Sequence, residues 1–135
     1  MKSRAKWIEN YKSIVDNGRN FSMVMDLPED SDGDDMGPTA LEVSLMGLAG
    51  CISTIYKVVA NKMRLGIAGL TVELDAEKPD DADTITSIVA TVKVDSSEEP
   101  FDKLKKCLDQ TLKTCPVGLI FEGAGVNVNT KLVQV

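Results

Sequence analysis

The chain has 135 residues, of which 43% are hydrophobic and 27% charged, and its formal net charge is −6. A chain of this length buries about two-thirds of the surface of its unfolded state in one core, so we expect a single domain over residues 1–135. The acidic balance argues against a nucleic-acid partner, and the absence of histidine excludes Cys-His and Ser-His nucleophile pairs and the usual zinc site.

The first residues and the cysteine count indicate a cytoplasmic protein. The N-terminal segment is basic but has no apolar stretch, so it predicts neither a signal peptide nor a membrane span. Three cysteines are an odd number and too few for a secreted disulfide framework, so thiols are expected. We predict no metal, no cofactor and no membrane contact.

The N-terminal segment predicts strands. Residues 4–15 and 19–26 are expected to form two strands, with turn chemistry between them at residues 16–18. A hairpin or a meander is therefore expected here.

An acidic loop follows. Six of the eleven residues from Asp26 to Met36 are acidic, which is typical of a solvated loop. The run resembles a calcium-binding loop, but Asp35 stands where such a loop needs glycine and Leu41 where it needs glutamate. No calcium site is predicted.

The segment from Pro38 to Gly66 predicts the central helix. Thr39 and Glu42 have the spacing of a capping box at its start, and Gly66 is expected to close it. The fourteen residues between Glu42 and Lys57 carry no charge and place apolar side chains on every side of the helix, which is typical of a buried helix. Fourteen residues span only about 21 Å, too short for a bilayer, so we expect protein to bury this helix. The remaining elements of a small chain cover only one side of it, which predicts a dimer.

The second half of the chain predicts two strands, a helix and a last strand. The strands lie at residues 70–75 and 88–94, and the last strand is 126–135. The helix starts after Ser96 and Ser97, has Pro100 in its first turn and ends near Thr114. The inner face of this second helix is expected to carry four apolar residues, Phe101, Leu104, Leu108 and Leu112. The order of elements predicts an α+β fold with helices packed on antiparallel sheet.

Two of the three cysteines stand out by their surroundings. Cys51 lies in the middle of the central helix, and Cys115 precedes Pro116 at the end of the second helix. Either can be a small hydrophobe in the core, as most buried unpaired cysteines are. Together they suggest a pair, whereas Cys107 lies beside the apolar stripe and is expected in the core or at its flank.

Several of these residues match one family. Gly37, Pro38 and Glu42 at the start of the helix, Gly47, Ala49 and Gly50 before Cys51, and Cys115-Pro116-Val117 64 residues after Cys51 resemble the OsmC/Ohr family of osmotically inducible and organic hydroperoxide resistance proteins. The resemblance extends over nearly the whole chain. It implies an intertwined homodimer with the two central helices buried between subunits.

The resemblance also implies a thiol peroxidase. In that family one cysteine attacks the peroxide and the second resolves it, and an arginine held by a glutamate activates the first thiol. The matching residues are Cys51, Cys115, Arg19 and Glu42. Glu42 is equally explained by its capping role, and Arg19 by an exposed position at the end of a strand.

We therefore expect a redox-active, antioxidant stress-response oxidoreductase that reduces organic hydroperoxides through a sulfenic acid on Cys51 and a disulfide with Cys115. Its small hydrophobic peroxide and its dithiol reductant are not identified by the sequence. The alternative is a non-catalytic dimer of the same fold that binds a small hydrophobic ligand at its interface, with the cysteines retained for packing. A dithiol carrier is a weaker third interpretation, because the C-x-x-C motif is missing.

Overall fold

The computed structural model describes residues 1–135, which form two compact units, Met1–Ser44 and Leu45–Val135. Each unit contains one three-stranded sheet. The chain is therefore of α+β class, as expected from the sequence. One domain over residues 1–135 remains a prediction.

The N-terminal unit is built on an antiparallel meander. Its strands, in the order β1-β2-β3, are Arg4–Glu9 (β1), Lys12–Asp16 (β2) and Ser22–Met25 (β3). The prediction of one strand over residues 4–15 is wrong, because the chain reverses at Asn10, whose φ is 43°. The indole nitrogen of Trp7 donates a hydrogen bond to the carbonyl oxygen of Asn10 (2.8 Å) and so stabilises that turn.

The acidic loop contains a short 3-10 helix, Glu29–Ser31, and one buried acid, Asp26. The carboxylate of Asp26 accepts hydrogen bonds from the backbone N–H groups of Leu27 (2.8 Å), Asp34 (3.2 Å) and Met36 (3.1 Å). The sequence predicted a solvated loop. The loop is instead folded around the carboxylate of Asp26.

The central helix, α1, is Ala40–Met63, and its predicted start is confirmed. The backbone N–H of Thr39 donates to the carboxylate of Glu42 (2.7 Å), and the N–H of Glu42 donates to the hydroxyl oxygen of Thr39 (3.3 Å). The predicted end is wrong, because Arg64, with a φ of 57°, closes the helix instead of Gly66. The N–H of Leu65 then bonds to the carbonyl oxygen of Ala60 (2.9 Å), which caps the last turn.

One face of α1 is buried in this chain. The buried residues recur every fourth position, and they are Leu48, Ile52, Tyr56 and Ala60. Other apolar residues on the helix, such as Met46 and Val58, are exposed. With 24 residues, α1 is longer than the charge-free segment suggested, and by length and composition it could cross a membrane. The core helix of a soluble protein can have the same length and composition, so these two properties are weak evidence for a membrane span.

The C-terminal unit holds the second sheet, in the order β4-β5-β6, with strands Gly69–Glu77 (β4), Ser87–Asp95 (β5) and Asn127–Gln134 (β6). The predicted antiparallel pair β4 and β5 is confirmed. The prediction of a purely antiparallel sheet is wrong, because β6 pairs with β5 in parallel. Every second side chain of β5 is buried, so the central strand turns one face to the core.

Two further helices complete this unit, Phe101–Thr114 (α2) and Pro116–Gly123 (α3). The expected end of α2 at Thr114 is confirmed, but α3 was not predicted. Leu104 and Leu108 are buried as expected, whereas Phe101 is exposed and Cys107 takes a place in the buried stripe. All fifteen buried apolar residues of the chain belong to the C-terminal unit.

Candidate active site

Two thiols meet inside the C-terminal unit. The Sγ atoms of Cys51, in the middle of α1, and Cys115, between α2 and α3, are 2.9 Å apart, and both cysteines are free thiols. A disulfide has an S–S bond of about 2.05 Å, so the sulfurs need to approach by only about 0.9 Å to form one. The sequence predicted this pair, and the fold supplies the contact across 64 residues.

The two thiols have different environments. Cys115 is fully buried, whereas Cys51 is partly exposed and packs at the edge of the core. Burial and the neighbouring Cys51 raise the pKa of Cys115 from 9.0 to about 11. Cys115 is therefore a protonated thiol near neutral pH, and its S–H donates toward the sulfur of Cys51. Cys51 is the sulfur that a solute can reach.

Local sequence explains why Cys115 sits where it does. Pro116 disfavours helical geometry in the residue before it, and Cys115 is extended, with a φ of −71° and a ψ of 106°. Pro116 then occupies the first turn of α3, where a missing N–H costs little. Cys115 thus becomes the N-cap of α3, and its sulfur accepts a hydrogen bond from the backbone N–H of Gly118 (3.4 Å).

The helix beside Cys51 leaves open space. Gly47 and Gly50 are exposed, and a Cβ atom added at either position would meet no atom of this chain within 4 Å. Glycine in a helix interior costs about 1 kcal/mol relative to alanine. Packing within this chain therefore does not explain these glycines.

The third cysteine, Cys107, is a core residue, as expected. It is fully buried on α2, and its thiol donates to the backbone carbonyl oxygen of Tyr56 (3.7 Å). Burial raises the pKa of Cys107. Cys107 hydrogen-bonds to neither of the other two thiols.

The other two candidate residues lie in the N-terminal unit. Glu42 is engaged in the capping box with Thr39. The guanidinium of Arg19 stands over the ring of Phe21, with its Cζ atom 5.9 Å from the ring centroid, and it makes no ion pair. The structure therefore does not pair Arg19 with Glu42 in this chain. Arg4, the other arginine of this unit, is paired with Asp16 (2.9 Å), so Arg19 is the one arginine of the N-terminal unit without an ion pair.

No cluster of acidic or cysteine side chains has the arrangement of a metal site. The sulfur of Cys51 has the Cys115 thiol as its hydrogen-bond partner and no basic side chain.

Comparison with known proteins places the chain in a family. The family model of the OsmC-like proteins matches residues 32–131. The chain belongs to the OsmC-like protein family. No curated protein matches the chain.

Solved structures of the OsmC-like fold match over almost the full chain. An OsmC-like protein from Mycoplasma pneumoniae is 18% identical, with 99% of this chain and 96% of that chain covered and a TM-score of 0.88. An organic hydroperoxide resistance protein OsmC from Legionella pneumophila is 14% identical, with the same coverage and a TM-score of 0.69. The organic hydroperoxide resistance protein OhrB of Bacillus subtilis is 16% identical, again with 99% and 96% covered, and has a TM-score of 0.65. At these identities the structures establish the fold of this OsmC-like chain.

Proposed function

We propose that this OsmC-like protein is a cysteine-based peroxidase that reduces organic hydroperoxides in the cytoplasm as part of a stress response. The observation that carries the proposal is the contact between two unequal thiols, Cys51 partly exposed and Cys115 fully buried, at 2.9 Å. The organic hydroperoxide resistance proteins among the similar structures support the same class of reaction.

The chemistry follows from the positions of the two sulfurs. Cys51 attacks the outer oxygen of the hydroperoxide, the O–O bond breaks, and the products are a sulfenic acid on Cys51 and an alcohol. The thiol of Cys115 then attacks the sulfur of the sulfenic acid, its proton leaves with the hydroxide as water, and the disulfide forms. A dithiol reductant restores both thiols. The half-buried, apolar setting of Cys51 favours an alkyl or lipid hydroperoxide over hydrogen peroxide.

Activation of Cys51 needs a positive charge, because the thiolate is the nucleophile. Arg19 is our candidate, since its guanidinium has no carboxylate partner in this chain. Glu42 is our candidate for orienting that arginine through the carboxylate oxygen that does not accept the bond from Thr39. This assignment predicts that Arg19 approaches Cys51 in the assembled protein.

We also propose that the functional form is the intertwined homodimer. The N-terminal unit has no buried apolar residue of its own, and Trp7 and Phe21 are 66% and 67% exposed. A second copy would cover them together with the exposed face of α1. The open space beside Gly47 and Gly50 supports a partner surface or a substrate at this place.

The proposed function is tested by counting thiols after one equivalent of cumene hydroperoxide or hydrogen peroxide. The wild-type protein is expected to lose two thiols per organic hydroperoxide, and faster than with hydrogen peroxide. Cys51→Ser should slow this reaction at least about a thousandfold, because the nucleophile is gone. Cys107→Ser is the matched control and should react like the wild type. A Cys51→Ser protein that reacts at the wild-type rate would refute the proposal.

A second function has one observation in its favour. A groove of about 380 Å³ between α1 and α2 has a mostly apolar lining, formed by Ile55, Val58, Val59, Lys62, Met63, Gln110 and Thr114. Such a groove suits a small hydrophobic ligand. In a pure binding protein, Cys51→Ser would bind that ligand as well as the wild type does, and neither protein would consume peroxide.

A further inference from the structure

The backbone N–H of Gly118 points at the sulfur that must become negative in the second half of the proposed reaction. Gly118 is the third residue of α3, and its N–H is 3.4 Å from the Sγ atom of Cys115. Pro116, the first residue of the helix, has no N–H to offer. The hydrogen bond from Gly118 is therefore built into the way this helix begins.

Cys115 needs such a donor because its side chain is buried away from solvent. The residue is fully buried, and its thiol hydrogen-bonds with Cys51 and with the first turn of α3. To attack the sulfenic acid, the thiol of Cys115 must give up its proton, so its sulfur carries negative charge before the S–S bond forms, and the proton leaves with the departing hydroxide as water. In a buried site that charge has to be met by fixed donors, and a donor already in place does not have to reorganise.

Gly118 lies in van der Waals contact with the reacting cysteine. A Cβ atom at Gly118 would lie 3.4 Å from both the Cβ and the Sγ atoms of Cys115, and 3.9 Å from a methyl group of Leu48. The turn is thus packed directly against the reacting cysteine. An alanine fits this space at ordinary contact distance, so glycine is not required for the fold alone.

We infer that the backbone N–H of Gly118 is a catalytic group of the resolving step. It stabilises the developing thiolate of Cys115, both when Cys115 attacks the sulfenic acid of Cys51 and when a dithiol reductant opens the disulfide at Cys51 and expels Cys115. In the first step an S–S bond forms, the S–OH bond breaks and water leaves. In the second the reductant's thiolate forms a mixed disulfide with Cys51, and Cys115 takes up a proton. The inference rests on the proposed function and adds a group that the peroxide step does not use.

Replacing one amide by an ester tests this without adding any atom near the sulfur. Residues 107–135 are made synthetically and joined to residues 1–106 at Cys107, with glycolic acid in place of Gly118, so that only the N–H is lost. The matched control places the hydroxy-acid analogue of leucine at Leu119, whose N–H bonds to the carbonyl oxygen of Cys115 (3.0 Å) and not to its sulfur. Both esters lose one hydrogen bond of the first turn.

The readout separates the two halves of the reaction. After one equivalent of cumene hydroperoxide, the sulfenic acid on Cys51 is trapped with dimedone, and disulfide formation is followed by mass spectrometry. The ester at position 118 should form the sulfenic acid at the control's rate but convert it to disulfide about tenfold more slowly. Equal conversion rates in the two esters would overturn the role of Gly118 and leave the peroxidase intact. A wild-type protein that forms no sulfenic acid would overturn the proposed function, and the role of Gly118 with it.

A second measurement does not depend on the ester folding. In a Cys51→Ser background, selenocysteine replaces Cys115, because a selenol ionises at a lower pH than a thiol and can be titrated while amide protons are still visible. The amide proton of Gly118 should shift downfield as the selenol ionises, and by more than that of Leu119. A Gly118 signal that stays fixed through the titration would contradict the inference.

Discussion

The two units of this chain are stabilised by different interactions. The C-terminal unit contains all fifteen buried apolar residues, whereas the N-terminal unit has a single buried residue, the acid Asp26. One unit is held by a core and the other by hydrogen bonds and ion pairs, such as those of Lys12 with Glu9 (3.0 Å) and Asp34. The thiol pair therefore lies in the unit that has its own apolar core, and the candidate cation Arg19 lies in the unit that has none.

The largest predicted effect concerns the state of assembly. If a second copy covers the N-terminal unit, the folded protein should sediment as a dimer at micromolar concentration, and the midpoint of urea unfolding should rise with protein concentration. Analytical ultracentrifugation and urea titrations at two concentrations measure both effects. A stable, folded monomer with a concentration-independent midpoint would count against the dimer.

Alkaline pH should weaken the core of the C-terminal unit through Cys115. The pKa of Cys115 in the folded state, about 11, lies above its unfolded value of 9.0, so the folded state holds this proton more tightly. This stabilisation is fully present below pH 9 and is lost as the pH rises through about 11. The free energy of unfolding should fall by about 3 kcal/mol over that window, as measured by urea unfolding.

The control for this pH effect is built into the chain. Cys115→Ala should remove the part of the slope that belongs to Cys115, and Cys107→Ala the part that belongs to Cys107, whose pKa burial also raises. If Cys115→Ala left the pH dependence unchanged, Cys115 would not be the group that holds the proton.

The acidic loop can be weakened through its one buried carboxylate. Asp26→Asn should lower the free energy of unfolding by about 2 kcal/mol. The carboxylate of Asp26 accepts three backbone hydrogen bonds, and the substitution removes the negative charge that strengthens them. Asp30→Asn is the matched control, since Asp30 lies in the same loop and is exposed. Equal losses, measured by urea unfolding, would mean that Asp26 does not organise the loop.

The smallest predicted effect is that of Arg19, in the N-terminal unit, on Cys51, in the C-terminal unit. Arg19→Met should slow the alkylation of Cys51 at neutral pH by about tenfold and should slow peroxide reduction, with the fold unchanged, because a nearby positive charge favours the thiolate. Arg19→Lys should restore this only in part, because an ammonium is a point charge without the planar fork of a guanidinium. Arg64→Met, which removes the exposed arginine after α1, is the control. Superimposable alkylation curves for wild type and Arg19→Met would exclude Arg19 as the activating cation.

Local chemistry made some of this structure predictable. The capping box of Thr39 and Glu42, the end of α2 before Pro116, and the alternating strands β4 and β5 depend on neighbouring residues and were recovered from the sequence. The errors lie where tertiary contacts decide. The parallel pairing of β6 depends on a strand more than thirty residues away, and α3 is a short apolar helix without a polar face that would mark its period.

The candidate site was predictable only in part for the same reason. The surroundings of Cys51 and Cys115 suggested a pair, but their contact comes from packing α1 against the segment between α2 and α3. The hydrogen bond from Gly118 could not be read from composition, although Pro116 after a cysteine does signal that a new helix can begin there.

The most direct test of the central claim is to map the disulfide that one equivalent of an alkyl hydroperoxide produces. We predict an intramolecular disulfide between Cys51 and Cys115, while Cys107 stays a free thiol inside the core. Peptide mapping without reduction detects this bond. Oxidation of Cys107, or a disulfide that joins two subunits in place of the pair within one chain, would contradict it.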